Sequence, residues 1–394
     1  MRIVFLTQLL PLPLDAGPKI RSYYVLSYLA EAGHDITLLS FVRPGDSDEH
    51  IRSLGRLCRS VHPILLTRSR VRDLSHGLRS LVSATPFLIL RDQFPEMKLA
   101  IERVAGKRSA DALHADQLWM APYSPDRRLS DLTVLDQHNA VFVVLRRMSS
   151  HQPSAITRAF VRREAAKLES FERTACARFD TVVWVTEEDR RAVGCGNGHR
   201  NRQQVIPIAT DPAERRPVKR THPFRVTFLG GMHWPPNAEG VSWFFRQVWP
   251  QVARAVPEAV LTVIGRKPPG VFGTPHDSSR VEVTGYVADL ARYLSETAVF
   301  VVPLRSGAGM RVKILDAWCW GLPVVSTSLG AEGIRGVAGE NLLLADDPDS
   351  FAESVIRVMQ NREFARRLSV NGRATTESFY DWRKVYTAWD QIYH

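Results

Sequence analysis

Short runs of β-branched and other apolar residues alternate with amphipathic stretches along the chain, the pattern of an α/β protein built on parallel sheets. In the first half, Arg2–Leu6, Asp35–Phe41, Ala112–Ala115, Thr133–Asp136 and Thr181–Val185 are the expected strands. Helical spacing lies between them, notably over Ile20–Ala32 and Ser154–Arg178. Tyr24, Leu26, Tyr28 and Leu29 are the apolar positions of the first helix, and Gly33 follows its expected end as a C-terminal cap would. The alternation restarts with Arg225–Leu229, Val260–Gly265, Val281–Gly285, Val299–Leu304, Pro323–Thr327 and Leu342–Ala345. Val241, Phe244, Phe245, Val248 and Val252 mark one helix face between the first two of these. The pattern alone predicts two doubly wound halves of similar size, whose ligands would bind beyond the carboxyl ends of the strands. The stretch Gly196–Pro223, rich in Gly, Pro and charge, is the expected interdomain hinge. The last 20 residues carry Phe379, Tyr380, Trp382, Tyr386, Trp389 and Tyr393 and predict an amphipathic helix laid on a structure already built.

Composition changes the picture in one respect. With 394 residues, 44% hydrophobic and 24% charged, the chain has the material for full cores and is not a disordered protein. Lys and Arg total 52 against 41 Asp and Glu, a net charge of +11, so the partners to consider are anionic: nucleic acid, phospholipid or a phosphorylated substrate. Four cysteines without CxxC spacing exclude a disulfide framework or zinc ribbon and suit a reducing, cytoplasmic setting. Pro11, Pro13 and Asp15 interrupt the apolar N-terminus, which reads as a strand and not as a signal peptide. No run approaches a membrane span, so the expectation is a soluble protein or one lying on a membrane surface.

The loop most suited to chemistry lies within Val299–Thr327, where a strand, a glycine loop and a helix follow one another. Gly307 and Gly309 allow close backbone approach, and a helix beginning near Gly309 would turn its N–H groups toward an anion. Arg311 and Lys313 add positive charge there, and Asp316 could accept hydrogen bonds from ribose hydroxyls. The bland alternative is a structural turn with surface cations. A second loop, Pro11–Arg21, also opens onto a helix start but lacks G-x-G-x-x-G. In a third, His138 follows a strand and could hydrogen-bond a substrate or act as acid or base, although a lone histidine is more often structural. His114 and Asp116 have the same status. Asp46-Ser47-Asp48 reads as surface, and no metal site, P-loop or nucleophile elbow is present as a motif.

These residues together resemble GT-B fold glycosyltransferases of family 4, retaining enzymes that use nucleotide sugars. The resemblance covers nearly the whole chain. It is strongest in the stretch from Phe228 to Asn237 (FLGGMHWPPN), in Val263-Ile264-Gly265-Arg266, in Val283-Thr284-Gly285-Tyr286-Val287 and from Val301 to Gly333. It implies two Rossmann-like domains facing across a cleft: an acceptor-binding domain at 1–205, a nucleotide-sugar domain at 206–375, and a closing helix at 376–394 that returns to the first domain. It also implies that Tyr286 and Val287 receive the base near Arg266, that Asp316 binds ribose, and that Gly231, Gly309 and Met310 face the donor. Gly17 would close over the diphosphate and His138 would stand near the reacting sugar, with Lys313 and Arg311 as the other catalytic candidates. His114 and Asp116 would face the acceptor. No cofactor is implied beyond the co-substrate, a UDP or GDP sugar, and the settings implied are polysaccharide, glycolipid or natural-product glycosylation.

Three positions depart from the family pattern. Ala308 stands where the first Glu of E-x7-E belongs, Gly231-Met232-His233-Trp234 replaces an Arg and Lys pair, and Ile208-Ala209 replaces Asn-Gly. Arg311 and Lys313 would then supply the missing charge. Two other functions fit less of the sequence: a GT-B sugar-nucleotide epimerase, and a basic nucleic-acid-binding protein. The second needs clustered cations with stacking aromatics, whereas most cations here are dispersed, so no nucleic-acid partner is expected. The exception is Arg52–Arg91, where Arg70, Arg72 and Arg79 interleave with Val71, Leu74, Leu78 and Leu81. Peripheral contact with an anionic membrane and a lipid-linked acceptor is one reading; a solvated helix with its leucines on the core is the ordinary one.

Overall fold

The computed structural model describes residues 1–105, 110–123, 129–150, 154–194, 201–219, 221–273, 280–287 and 289–394. The chain forms two compact units, Met1–Ala209 with Trp382–His394, and Thr210–Asp381. The boundaries expected at 205/206 and 375/376 therefore move to 209/210 and 381/382, where Thr210 and Asp381 pair as an isolated bridge. Of the expected hinge, residues 196–200 and 220 lie outside the described residues.

The first unit holds seven parallel strands: β1 (Arg2–Thr7), β2 (Asp35–Val42), β3 (Ser60–Leu65), β4 (Ala110–Asp116), β5 (Ser130–Gln137), β6 (Thr181–Trp184) and β7 (Arg202–Val205). Their order is β3-β2-β1-β4-β5-β6-β7. Helices on both faces explain why the central strands bury apolar residues on both sides, as in the fully buried Leu6, Leu113, Leu135 and Val182, with His114, Asp116 and Asp136 as buried polar exceptions near their carboxyl ends. The edge strands β3 and β7 were not expected: Pro63 and His62 interrupt one, and the other reads Arg-Gln-Gln-Val. Polar residues and proline are what an edge tolerates.

The second unit repeats the design with β8 (Arg225–Leu229), β9 (Val260–Ile264), β10 (Val281–Gly285), β11 (Val299–Val302), β12 (Val324–Ser326) and β13 (Leu343–Leu344) in the order β10-β9-β8-β11-β12-β13. In both sheets the strand order reverses direction next to the first strand, leaving a crevice between β1 and β4 and another between β8 and β11.

The aromatic tail is not the single helix expected over 376–394. A helix runs Arg362–Phe379 and ends at Tyr380; beyond it come a short helix, Trp382–Val385, and a tight helical turn, Tyr386–Gln391. These last elements belong to the first unit, where Trp382 stacks on Tyr24 at 5.6 Å and Tyr28 donates to Asp390 at 2.8 Å.

Candidate active site

At the crevice of the second unit, β8 gives way to Gly230 and Gly231, and the helix Pro235–Trp243 begins four residues later. Across the crevice, β11 leads through Pro303–Met310 to the helix Val312–Cys319. Lys313, in the first turn of that helix, reaches back to the β8 side: its Nζ donates to Asn237 Oδ1 at 2.8 Å and lies 4.8 Å from the Phe228 ring centre. A Cβ at Gly230 would stand 2.8 Å from this Nζ, so only glycine leaves the ammonium its place. Asn237 in turn donates to the Gly231 carbonyl at 3.0 Å, which fixes the amide orientation. Burial, reinforced by repulsion from Arg311, lowers the Lys313 pKa to about 7. Sequence reasoning assigned Asn237 no role, although it lies in the quoted stretch from Phe228 to Asn237.

Arg311 precedes this helix and folds over its own loop, donating to the carbonyls of Ala308 and, at 2.8 Å, Gly309. Gly309 has φ +76°, a conformation that suits glycine and lets the loop curl beneath the guanidinium. Met310 is buried beside it. Asp316, expected at a ribose, is paired with Arg215 at 2.8 Å, while burial raises its pKa. Ser306 donates to Glu239 at 2.9 Å, so a carboxylate lies close to the loop in which Ala308 replaces the expected Glu. One strand further out, the Arg266 guanidinium covers the Tyr286 ring at 4.3 Å, with Tyr286 exposed and Val287 half-buried after β10. Thus Gly231, Arg266, Tyr286, Val287, Gly309, Met310, Arg311, Lys313 and Asp316 all follow the carboxyl ends of β8, β9, β10 and β11.

The first unit gathers His114, Asp116 and His138 at the equivalent crevice, around two residues to which sequence reasoning gave no role. Arg21, fully buried, grips Asp136 through Nε and Nη2 at 2.7 to 3.0 Å and donates from Nη1 to the carbonyls of Ile206 and Pro207. Trp389 and Tyr386 cover the guanidinium. Asp136 is held well below the usual carboxylate range, with Arg21 overcoming the cost of burial. Asp116 accepts from Thr7 at 3.0 Å, Ser22 at 2.9 Å and His138 Nε2 at 2.9 Å. Despite its burial, His138 has its pKa raised to about 9 by Asp116 and Asp136. Two cations and two carboxylates thus lie together in a buried interior, a compensation that buried charge requires. No partner separated by more than a hundred residues is readable from spacing, which is why Arg21 and Asp136 were missed.

Three expectations change here. His138, with its pKa raised to about 9 and its Nε2 2.9 Å from Asp116, has the character of a hydrogen-bond donor and cation more than that of a general base. His114 is fully buried between Phe5 and the tail, bonded to Tyr393 at 2.6 Å, and burial lowers its pKa to about 4. Asp116 is equally buried. Neither presents a surface to an acceptor; both hold the interior together, because β4 ends at the centre of the sheet beneath the tail. His114, Asp116 and Asp136 approach one another closely enough to suggest a cation site. Arg21 and His138 already neutralise its carboxylates, however, and a metal ion there would face both cations. Gly17 begins the helix Gly17–Glu31, one turn before Arg21, and Ser47 caps the helix Asp48–Leu54 by accepting from Glu49 N at 3.2 Å, giving Asp46-Ser47-Asp48 a structural role.

The His138 pKa makes a prediction about stability. It lies above the unfolded value, so the stabilisation is complete below about pH 6.5 and is lost as pH rises through 9. The shift corresponds to on the order of 3 kcal/mol. Wild type minus His138→Gln, measured by urea denaturation at pH 6 and pH 10, is expected to show a difference that shrinks toward high pH; a difference independent of pH would contradict the charged assignment.

Residues 223–361, most of the second unit, match the family model described as "Glycosyl transferases group 1". That stretch is a glycosyltransferase domain. Over its whole length the chain is similar to an uncharacterized 44.6 kDa protein in the cps region of Klebsiella pneumoniae, with 22% identity and 98% of each chain covered. Its fold is that of sucrose-phosphate synthase from Thermosynechococcus elongatus, with a TM-score of 0.74, 17% identity, and 100% and 98% of the two chains covered. Anabaena HepE in complex with UDP is similar with a TM-score of 0.66, 12% identity and 99% coverage of both chains. The two doubly wound units are those of the GT-B fold.

Proposed function

We propose that the enzyme transfers a sugar from a UDP-sugar to an acceptor hydroxyl with retention, and that protein cations neutralise the departing diphosphate. The observation that carries this reading is the place of Lys313: its ammonium lies against Gly230 at the mouth of the β8–β11 crevice. Doubly wound sheets bind nucleotides at such a crevice. The position is also the loop from which the Arg and Lys pair of similar enzymes is missing, so Lys313 substitutes from the opposite side. Arg311 adds charge at the same loop and stiffens it through the Ala308 and Gly309 carbonyls. The Arg266–Tyr286 stack offers a flat surface for the base, and Asp316, oriented by Arg215, accepts from the ribose. Within the first unit, the buried Nδ1 of His138 has no hydrogen-bond partner and is free to meet a ligand at that unit's own crevice. Fixed positive groups aimed at developing phosphate charge lower the barrier without rearranging during the reaction. UDP is favoured over GDP because HepE, of the same fold, was solved with UDP.

The test is thermal stabilisation by UDP, GDP and their sugar conjugates, followed by product analysis. UDP at 100 times its dissociation constant should add about 2.7 kcal/mol to the stability of the second unit. No shift with any nucleotide would remove the donor assignment. Release of UDP together with a glycosylated acceptor supports transfer, interconversion of the nucleotide sugar without an acceptor supports the epimerase, and the anomeric proton of the product decides retention.

A further inference from the structure

We propose that the outer face of the helix Arg70–Val82, with the first turns of the helix Ala155–Cys176, docks on an anionic lipid surface. The first of these helices is inverted relative to an ordinary surface helix. Val71, Leu74, Leu78 and Val82 recur at i, i+3, i+7 and i+11 and so share one face, yet they are 78%, 67%, 61% and 89% exposed. The side turned inward is polar or small: Arg72 covers the Phe94 ring at 3.9 Å and donates to the Gln93 carbonyl, and buried Ser80 donates to Glu164 at 2.9 Å. The expected placement of the leucines on the core is therefore overturned. A helix that keeps its polar side for the protein and its aliphatic side for the exterior has no reason to do so in water alone.

The second helix extends the same surface. Ile156, Phe160, Glu164 and Lys167 lie on one of its faces. Glu164 and Lys167 are covered by Ser80, at the end of the inverted helix, while Ile156 and Phe160, one and two turns earlier, remain exposed. Charge selects the occupant. Arg70, Arg79, Arg158, Arg162 and Arg163 accompany these apolar residues on the two helices, whereas Asp73 is their main acidic neighbour and Glu164 is committed to Lys167 at 2.7 Å. Aliphatic side chains rimmed by arginine fit the boundary between acyl chains and anionic headgroups, where the stems can lie along the apolar layer and the guanidinium groups can meet phosphate. Among the described residues no helix is long and apolar enough to cross a membrane, so contact through this face is interfacial.

Sedimentation with vesicles of phosphatidylcholine alone, and of phosphatidylcholine with phosphatidylglycerol, tests the assignment without any nucleotide. Its failure would leave the donor site untouched. Wild type is expected to sediment with the anionic vesicles only. Leu74→Glu/Leu78→Glu and, separately, Arg70→Glu/Arg79→Glu should each weaken that binding about tenfold or more. These side chains are solvent-facing, so the variants should melt at the wild-type temperature; the arginine pair leaves the apolar face intact should the leucine pair alter the fold. Wild type that sediments with neither vesicle, or equally with both, would overturn the proposal. So would a dimer, seen by light scattering, that Leu74→Glu/Leu78→Glu dissolves without any vesicle binding in wild type, since a second copy would then be the occupant.

Discussion

Replacing Lys313 by alanine is expected to lower kcat/KM by about two to three orders of magnitude, the range seen when one preorganised group that stabilises transition-state charge is removed. The residue is held from three sides, by Asn237, the Phe228 ring and the space left at Gly230, so its geometry is fixed before any ligand arrives. Its pH dependence separates an electrostatic role from a merely structural one. With a pKa of about 7, Lys313 is half neutral at physiological pH, and an approaching diphosphate raises that pKa by stabilising the ammonium. UDP binding above pH 7 must therefore take up a proton, and affinity should fall by up to tenfold per pH unit from pH 7 toward the pKa of the complex. UDP itself contributes little to this slope, since the second ionisation of a phosphate monoester lies near 6. Calorimetric titrations at pH 7, 8 and 9 should show the slope in wild type and none in Lys313→Ala, and Lys313→Arg should bind with a flat profile because guanidinium stays charged. A slope that survives in Lys313→Ala would assign the proton to another group.

How far the sequence reveals this molecule depends on what each residue touches. Central strands such as β1 and β11 carry continuous apolar runs because helices cover both of their faces, and such runs are legible without coordinates. The edges β3 and β7 are polar, and nothing in their composition distinguishes them from loops. Lys313 is legible because it stands four residues beyond Gly309 in a strand, loop and helix sequence; its dependence on Asn237 is not, since that partner is 76 residues away. The leucines at 74, 78 and 81 show the remaining gap. Periodicity reports that they share a face but not which side of the helix the protein occupies.

The largest effect on stability is expected at Asp136. Replacement by asparagine keeps the shape but leaves Arg21 with a neutral partner and His138 with Asp116 as its remaining carboxylate, inside a region closed by Trp389, Tyr386 and Tyr393. Breaking a buried ion pair from one side costs about 3 to 5 kcal/mol, because the surviving charge has neither water nor counter-charge. For a unit of this size that corresponds to a fall of about 10 °C in Tm. The second unit draws none of its core from this network, so stabilisation of its own transition by UDP should persist in Asp136→Asn. Arg21→Lys should also be destabilised: one ammonium cannot reproduce the two-point grip on Asp136 while satisfying the Ile206 and Pro207 carbonyls. The double variant Arg21→Met/Asp136→Leu distinguishes charge from packing. It removes one cation and one anion together and leaves His138 balanced by Asp116 at 2.9 Å. If uncompensated charge is the cause, urea denaturation should find the double variant more stable than Asp136→Asn, with a coupling of about 1 to 3 kcal/mol between the two sites. Additive losses would mean that Arg21 and Asp136 matter to the fold only through the volume they fill.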